Sequence, residues 1–511
     1  MVEVSLLFEK TDDPRRPESF PMPAYFIDLN LDQVVDAIAK DSPEYPLPSI
    51  YYRPLETLDE IAYRQEVFRD IEQLDLFTPL SAFTKGMRNM QRSLSSLGKI
   101  YSFQHRKGWF LEAVIEYCDA VDRLEHCLGE AKVQSRALRA FKTYLLGYAE
   151  SQDFVSLSTQ ASSLKRELAG IHYNVIIKGL SVKVRRHDGE LDYGADIEET
   201  FGRFSQDSGQ NYLAKYPDST GIDHVQAQIL ECVAKLWPEL FARLAGFCAS
   251  RSSFVDETIG AFEQEIKFYL SWLDYIESLR KAGLEFCLPT ISHTDKAIGA
   301  RGIFDVALAK KVVLATTPIV TNDFFIHGPE RILVVTGPNQ GGKTTFARVF
   351  GQLHHLASIG CLVPAQDARL FLFDKILTHF EREETLKSHR GKLHEEIIRI
   401  HDSLEAATTR SILILNEVFT STTLKDSLFL SRRIMEQIVR LDALCVCVTF
   451  LDELATLGEK VASLVCAVDP DDPSIRTFKI ERRPADGLAY ARSLAERHHL
   501  TYENLKERIR S

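Results

Sequence analysis

The chain has 511 residues and a formal net charge of −11, and at about 150 residues per domain its length points to about three domains. With 45% hydrophobic and 26% charged residues it has an ordinary globular composition, and 26 Gly with 19 Pro are too few for collagen-like, disordered or loop-rich all-β structure. The acidic balance excludes a chain-wide affinity for nucleic acid, so any such surface must be a local patch. No apolar run reaches the ~18 residues of a membrane span, so no membrane association is expected, and Met1–Lys10 lacks a signal-peptide pattern. Nine scattered cysteines without a Cys-x-x-Cys pair read as buried reduced thiols, which makes the cytoplasm the expected compartment.

In chain order, residues 1–50 form an N-terminal segment with one helix at Leu31–Ala39. Helical periodicity runs from about Leu55 to Ile171, as in Val114, Tyr117, Cys118, Val121, Leu124 and Leu128. Near His172 the texture changes. Val175-Ile176-Ile177 leads into the alternating Leu180–Arg185 and then Asp188-Gly189, the signal of a β-hairpin within a β-rich insertion at 172–222. Its Lys183, Arg185 and Arg186 could touch phosphates, although a solvated strand face is the plainer account. Helical periodicity returns from His224 to Ala282. After Pro289, short β-branched runs (Ile332–Thr336, Ile412–Leu415, Leu444–Thr449, Leu464–Val468) alternate with helical segments, the pattern of a mostly parallel sheet. The expected fold class is therefore α plus α/β, with residues 51–295 helical and 296–511 a phosphate-loop domain.

The chemistry concentrates in Gly337-Pro338-Asn339-Gln340-Gly341-Gly342-Lys343-Thr344, placed between a strand and the helical run Thr345–Leu353. Glycines there let backbone N–H groups and a helix N-terminus face phosphates, while Lys343 meets the β/γ-phosphates and Thr344 offers its hydroxyl to Mg²⁺. The apolar run Ser411–Leu415 ends in Asn416-Glu417. Glu417 is the candidate base that orients the attacking water. Asn416 stands where an Asp normally holds the metal's water shell, so Thr344, Asn416 and Glu417 form the candidate metal side, with Mg²⁺ held less tightly for want of a charge.

The stretch Thr336–Thr345, with its Gly-Pro-Asn opening, resembles the nucleotide-binding loop of the MutS family of DNA mismatch repair ATPases. Flanking segments are similar too: Pro318-Ile319-Val320-Thr321-Asn322 resembles the family's adenine-side segment, and Gly360 with Val363-Pro364-Ala365 its stretch after the first helix. Asp374–Thr378 resembles the following strand, Ser421-Thr422-Thr423 with Asp426 the turn after the base, and Gly487–Ala491 the start of the C-terminal helix. The resemblance covers residues 300 to about 505, and more weakly 50–300, where Tyr52–Leu55 and Tyr63-Arg64-Gln65 look like the start of the family's helical core. It implies ATP and Mg²⁺ as ligands, with Ile319, Val320, Asn322 and the loop through Thr345 holding the nucleotide. It further implies a homodimer acting on duplex or branched DNA, with residues 51–295 as lever and the β-rich insertion as a reduced clamp. A mismatch-reading domain is not expected. Phe110-Leu111-Glu112 spells the family's mismatch-reading triplet, but inside a helical pattern of the wrong region.

Three departures bear on mechanism. Asn416 replaces the metal-side Asp, and Thr449-Phe450 stands where the family has Thr-His. Ser388–Leu393 occupies the place of the signature that reaches the partner's γ-phosphate, with Gly391 for its Ser while Arg390 and Glu396 align. Arg390 is the expected trans group beside Lys343 and Glu417, with Lys392 as the other candidate. Two functions stay open: a slow DNA-associated ATPase in repair or recombination control, and a nucleotide-gated scaffold with little or no turnover. A chromosome-structuring or transporter-type ATPase is excluded, since no Leu-Ser-Gly-Gly-Gln signature is present and Lys343 and Glu417 lie too close in sequence for a coiled-coil insertion.

Overall fold

The computed structural model describes residues 4–9, 20–40, 43, 45–179, 181–189, 224–314, 318–381, 391–469, 471–472, 475–485, 502 and 506. The chain divides into two compact units. One comprises Met1–Val4, Leu74–Val133 and Arg139–Glu263, and the other Ser5–Gln73, Gln134–Leu138 and Gln264–Ser511. The unit that carries the phosphate loop therefore gathers in 5–73 and 264–295 as well as the expected 296–511. Helices and sheets are both present, in keeping with the expected mixed class.

The first unit is built on long helices. Phe103–Glu130 buries Leu111, Val114, Tyr117, Cys118, Val121, Leu124 and Leu128, the three-and-four stripe that makes one face apolar. Its start is capped by Ser102, whose side chain accepts from His105 N. It packs against Phe77–Ser96 so closely that a Cβ at Gly86 would sit 3.0 Å from Ala120 Cβ. Phe110 lies ring to edge on Phe254, and Glu112 pairs with Lys165 at 2.8 Å. The Phe-Leu-Glu triplet is thus a stretch of packed helix, as its setting in the sequence implied. A hairpin forms, with β1 (Tyr173–Lys178) antiparallel to β2 (Ser181–Arg186), but it turns between Lys178 and Ser181 and not at the expected Asp188-Gly189, which follows β2.

The second unit holds two sheets. Strands β3 (Thr290–Ser292), β4 (Ile298–Ile303), β5 (Asn322–Ile326) and β7 (Asp367–Phe371) make one sheet in the order β3-β7-β4-β5. The larger sheet runs β12-β11-β6-β10-β9-β8, from β6 (Ile332–Thr336), β8 (Ile376–His379), β9 (Ile412–Asn416), β10 (Leu444–Val448), β11 (Val461–Val468) and β12 (Arg476–Arg482). It is parallel except for the edge pair β11–β12. Strands β6, β9 and β10 are buried along their whole length, which is why they read as unbroken apolar runs. Cys445 and Cys447 lie on one face of β10, in the cluster with Ile332, Leu413 and Met435.

Residues 5–73 contribute structure to this unit. Tyr63 donates to Ser5 O (2.7 Å), Arg64 to Leu7 O (3.3 Å) and Ile359 O (3.1 Å), and Gln65 to Pro289 O (3.1 Å). Arg64 is buried, and Gly360 leaves room for it at φ +82°, where a Cβ would come within 2.7 Å of Arg64 Cβ. Tyr63-Arg64-Gln65 therefore fastens three distant segments to one another.

Candidate phosphate-loop site

Strand β6 delivers the chain into a loop whose glycines are required by conformation and by space. Gly337 and Gly342 have φ of +115° and +98°, and a Cβ at Gly337 would lie 3.0 Å from Cys466 Cβ and its backbone N. Gly341 is equally confined, 3.0 Å from Cys466 Cβ. The helix Lys343–Ser358 starts directly after Gly342, so its free N–H groups open onto the loop.

Lys343 is 3% exposed and donates to Gly337 O (3.0 Å) and Pro338 O (3.1 Å). Its ammonium lies 3.9 Å from Glu417 Oε1 and 4.1 Å from the centroid of the Phe450 ring. Burial lowers its pKa below the ordinary lysine value, and the Glu417 carboxylate opposes that fall. Glu417 follows β9 at φ +54°, with its N–H bound to Val448 O at 2.9 Å. A non-glycine residue in this region is held by its surroundings, and here it aims the carboxyl at the loop. Burial raises the Glu417 pKa, Lys343 lowers it, and Glu381 adds to the rise. Thr344 Oγ1 donates to Asn416 Oδ1 at 2.9 Å. The amide thus takes the hydroxyl bond that a carboxylate would take, without its charge.

A cleft of about 410 Å³ opens from the loop. Asn339 through Thr345 and Glu417 line its polar end, and Leu308, Val312, Ile319 and Val320 line an apolar end of a size and character suited to a heterocycle. The expected residues Ile319 and Val320 are therefore on the wall. Asn322 also reaches it, but its side chain is committed elsewhere, donating to Phe478 O (3.0 Å) and accepting from Ile480 N (2.8 Å). It holds the edge strand β12 so that Phe478, at φ +58° and half exposed, stands in the cleft.

Sequence reasoning misses Phe478, which sits on an edge strand far along the chain with no motif around it. It also misses Asp305, which caps the helix Val306–Leu314 through Ala307 N (2.9 Å) and Leu308 N (3.0 Å). Asp305 further accepts from Gln352 Nε2 (2.9 Å), tying the cleft wall to the loop helix.

Among the described residues, no group of three or more His, Cys, Asp or Glu side chains could hold a metal ion by itself. The donors present, the Thr344 hydroxyl with the Asn416 amide oxygen it is bonded to and the neighbouring Glu417 carboxyl, would fit a cation carried by phosphates.

Of the signature segment, Arg390 and Gly487–Ala491 farther on lie outside the described residues. Lys392 pairs with Glu381 at 2.5 Å, and buried Glu396 accepts from Ser421 Oγ at 3.3 Å. Lys392 and Glu396 thus both have partners within their own chain. On the hairpin, Lys183 and Arg185 are exposed, whereas Arg186 lies over the Trp237 ring (5.0 Å) and donates to Leu236 O. The face opposite Lys183 and Arg185, to which Arg186 belongs, shows Tyr173, Val175, Ile177 and Val182 to solvent.

Known proteins resemble the chain over this region. Residues 333–487 match the family described as MutS domain V. A DNA mismatch repair protein MutS from Geobacillus sp. is 29% identical over 230 residues, 44% of this chain and 26% of that protein. The protein of the same name from Clostridium kluyveri is 32% identical over 174 residues (34% of this chain, 20% of that one), and that from Chlorobaculum tepidum is 27% identical over 281 residues (54% and 30%). The chain thus spans less than a third of the length of these relatives. Residues 333–487 of this chain thus form a domain of the MutS family, domain V.

Proposed function

We propose that this chain binds Mg²⁺–ATP in the cleft and hydrolyses it slowly, as a homodimer acting on DNA in repair or recombination control. The observation that carries this reading is the convergence of Lys343, Thr344, Asn416 and Glu417 on one glycine-built loop. Lys343 and the loop N–H groups meet the phosphates, the base lies between Ile319, Val320 and Phe478, and Glu417 takes up the attacking water as hydrogen-bond acceptor. Thr344, Asn416 and Glu417 are the residues that would hold Mg²⁺ arriving with the triphosphate, and the ion would supply neutralising charge to the phosphates. Arg390 of a second copy is the proposed trans group, since Lys392 is engaged by Glu381.

A nucleotide-gated scaffold with little turnover is the second reading. It is favoured by Phe450, which offers the ring face that holds Lys343 where a histidine would offer a hydrogen bond. One experiment separates these. Lys343→Ala should abolish binding of a labelled ATP analogue with the fold intact, and undiminished binding removes the central claim. Turnover of the wild-type chain, with and without duplex, branched and single-stranded DNA, then decides between ATPase and scaffold.

A further inference from the structure

The neutral Asn416 leaves the metal side of the loop one carboxylate short, and the structure places another acid there from the far end of the sequence. Asp28 ends the short helix Tyr25–Asp28, which is fastened along the loop helix. Arg348 Nε donates to Asp28 O (3.0 Å), and Gln352 Nε2 to Leu29 O (2.9 Å). Tyr25 Oη lies 3.0 Å from His355 Nδ1, and buried Leu29 so fills the space at Gly351 that a Cβ there would come within 2.6 Å. The Asp28 carboxylate accepts from Thr378 Oγ1 at 2.6 Å.

Strand register shows which way Thr378 points. It pairs with Ile414 across the parallel β8–β9 ladder, so the two side chains share a face, and Asn416 lies two residues beyond Ile414 on that face. That face is the one covered by the loop helix, since Ile414 touches Gly351 and Asn416 accepts from Thr344. With strands ~4.8 Å apart and a rise of ~3.3 Å per residue, the Cα atoms of Thr378 and Asn416 are about 8 Å apart. The lining of one cavity of about 490 Å³ includes Asp28, Thr344, Arg348, Glu381 and Asn416. Of the two acids, Glu381 is paired with Lys392, whereas among the described residues Asp28 has a hydroxyl partner and no ion pair.

We propose that Asp28 orients the water shell of the nucleotide-bound Mg²⁺, in place of the carboxylate that Asn416 lacks. The assignment rests on the nucleotide reading above. Through water it needs no direct bond to the ion, and partners outside the inner shell still change metal affinity about 10- to 100-fold.

The test is binding of a fluorescent, non-hydrolysable ATP analogue to the full chain, titrated with Mg²⁺ and repeated in EDTA, with Mn²⁺ paramagnetic resonance counting the bound ion. Asp28→Asn should raise the Mg²⁺ concentration for half-maximal binding about ten-fold and leave binding in EDTA unchanged. Asp28→Glu, which keeps the charge, should hold the low midpoint, and Asn416→Asp added to Asp28→Asn should bring it back down. An unchanged midpoint in Asp28→Asn overturns the proposal. So does an equal loss of binding with and without metal, or an Asp28→Glu variant that behaves like the Asn one. A wild-type chain that binds no analogue at any Mg²⁺ concentration overturns the nucleotide reading itself, and the role of Asp28 with it.

Discussion

His355 sits near the end of the loop helix, fully buried, with Nδ1 3.0 Å from Tyr25 Oη and Nε2 2.8 Å from Tyr51 O. Burial lowers its pKa from 6.5 to about 4, against a smaller opposing effect of the bond to Tyr51. In the unfolded chain the imidazole titrates at its ordinary value, so acid protonates the unfolded state first. The stability contributed by neutral His355 is present above pH 6.5 and is lost as the pH falls toward about 4. Between pH 7 and pH 5 the loss comes to about 2 kcal/mol, and over the whole window to about 3 kcal/mol. Urea denaturation of the wild type and of His355→Gln, run at pH 7, 6 and 5, isolates this contribution. Glutamine does not titrate, and the raised carboxyls of Asp305, Glu396 and Glu417, which act in the opposite direction, are common to both proteins. The stability advantage of the wild type should shrink by about 2 kcal/mol across that range. Parallel pH profiles for the two proteins would refute the reasoning.

Three further outcomes follow from the site and the hairpin. Glu417→Gln should retain analogue binding while turnover falls about 10²-fold or more, and a loss of binding would show that the carboxyl holds the loop rather than the water. Asn416→Asp with Phe450→His should raise turnover, by about 10² for each restored group, while Arg390→Ala lowers both turnover and ATP-dependent dimer tightening. A flat rate in the first with no effect in the second favours the scaffold. Neutralising Lys183 and Arg185 should weaken DNA binding and reduce its salt slope by roughly one for each cation removed from a phosphate, and an unchanged slope returns the hairpin to a solvated face.

The parts of the site legible in the sequence are those encoded locally. A strand, a glycine loop and a helix are contiguous, so Gly337 through Thr344 can be placed by spacing alone, and Asn416-Glu417 by the apolar run before it. Phe478 and Asp28 are not legible, because each reaches the site through long-range pairing. Phe478 needs the antiparallel edge strand and the Asn322 bonds to face the cleft. Asp28 needs the docking of a four-residue helix, too short to leave a periodic signal. Tyr63-Arg64-Gln65 is legible as a motif, but its hydrogen bonds to Ser5, Leu7, Ile359 and Pro289 depend on segments that no local pattern connects.

The fastening of residues 5–73 onto the loop helix has a consequence for how this phosphate-loop unit can be inherited or transplanted. A piece cut at 296 would carry the whole loop and every strand of the larger sheet. It would also lay bare the surface that Phe26, Leu29 and Tyr51 cover, and leave His355 and Gln352 without their partners from Tyr25, Leu29 and Tyr51. Losing that apolar burial, at about 1.5–3 kcal/mol for each large side chain, would take a sizeable part of a domain's usual margin of about 5–15 kcal/mol. A piece cut at that border should therefore be less stable than the whole chain. Exchanges that preserve function must move the N-terminal segment and the phosphate loop together, as one heritable block split across the gene.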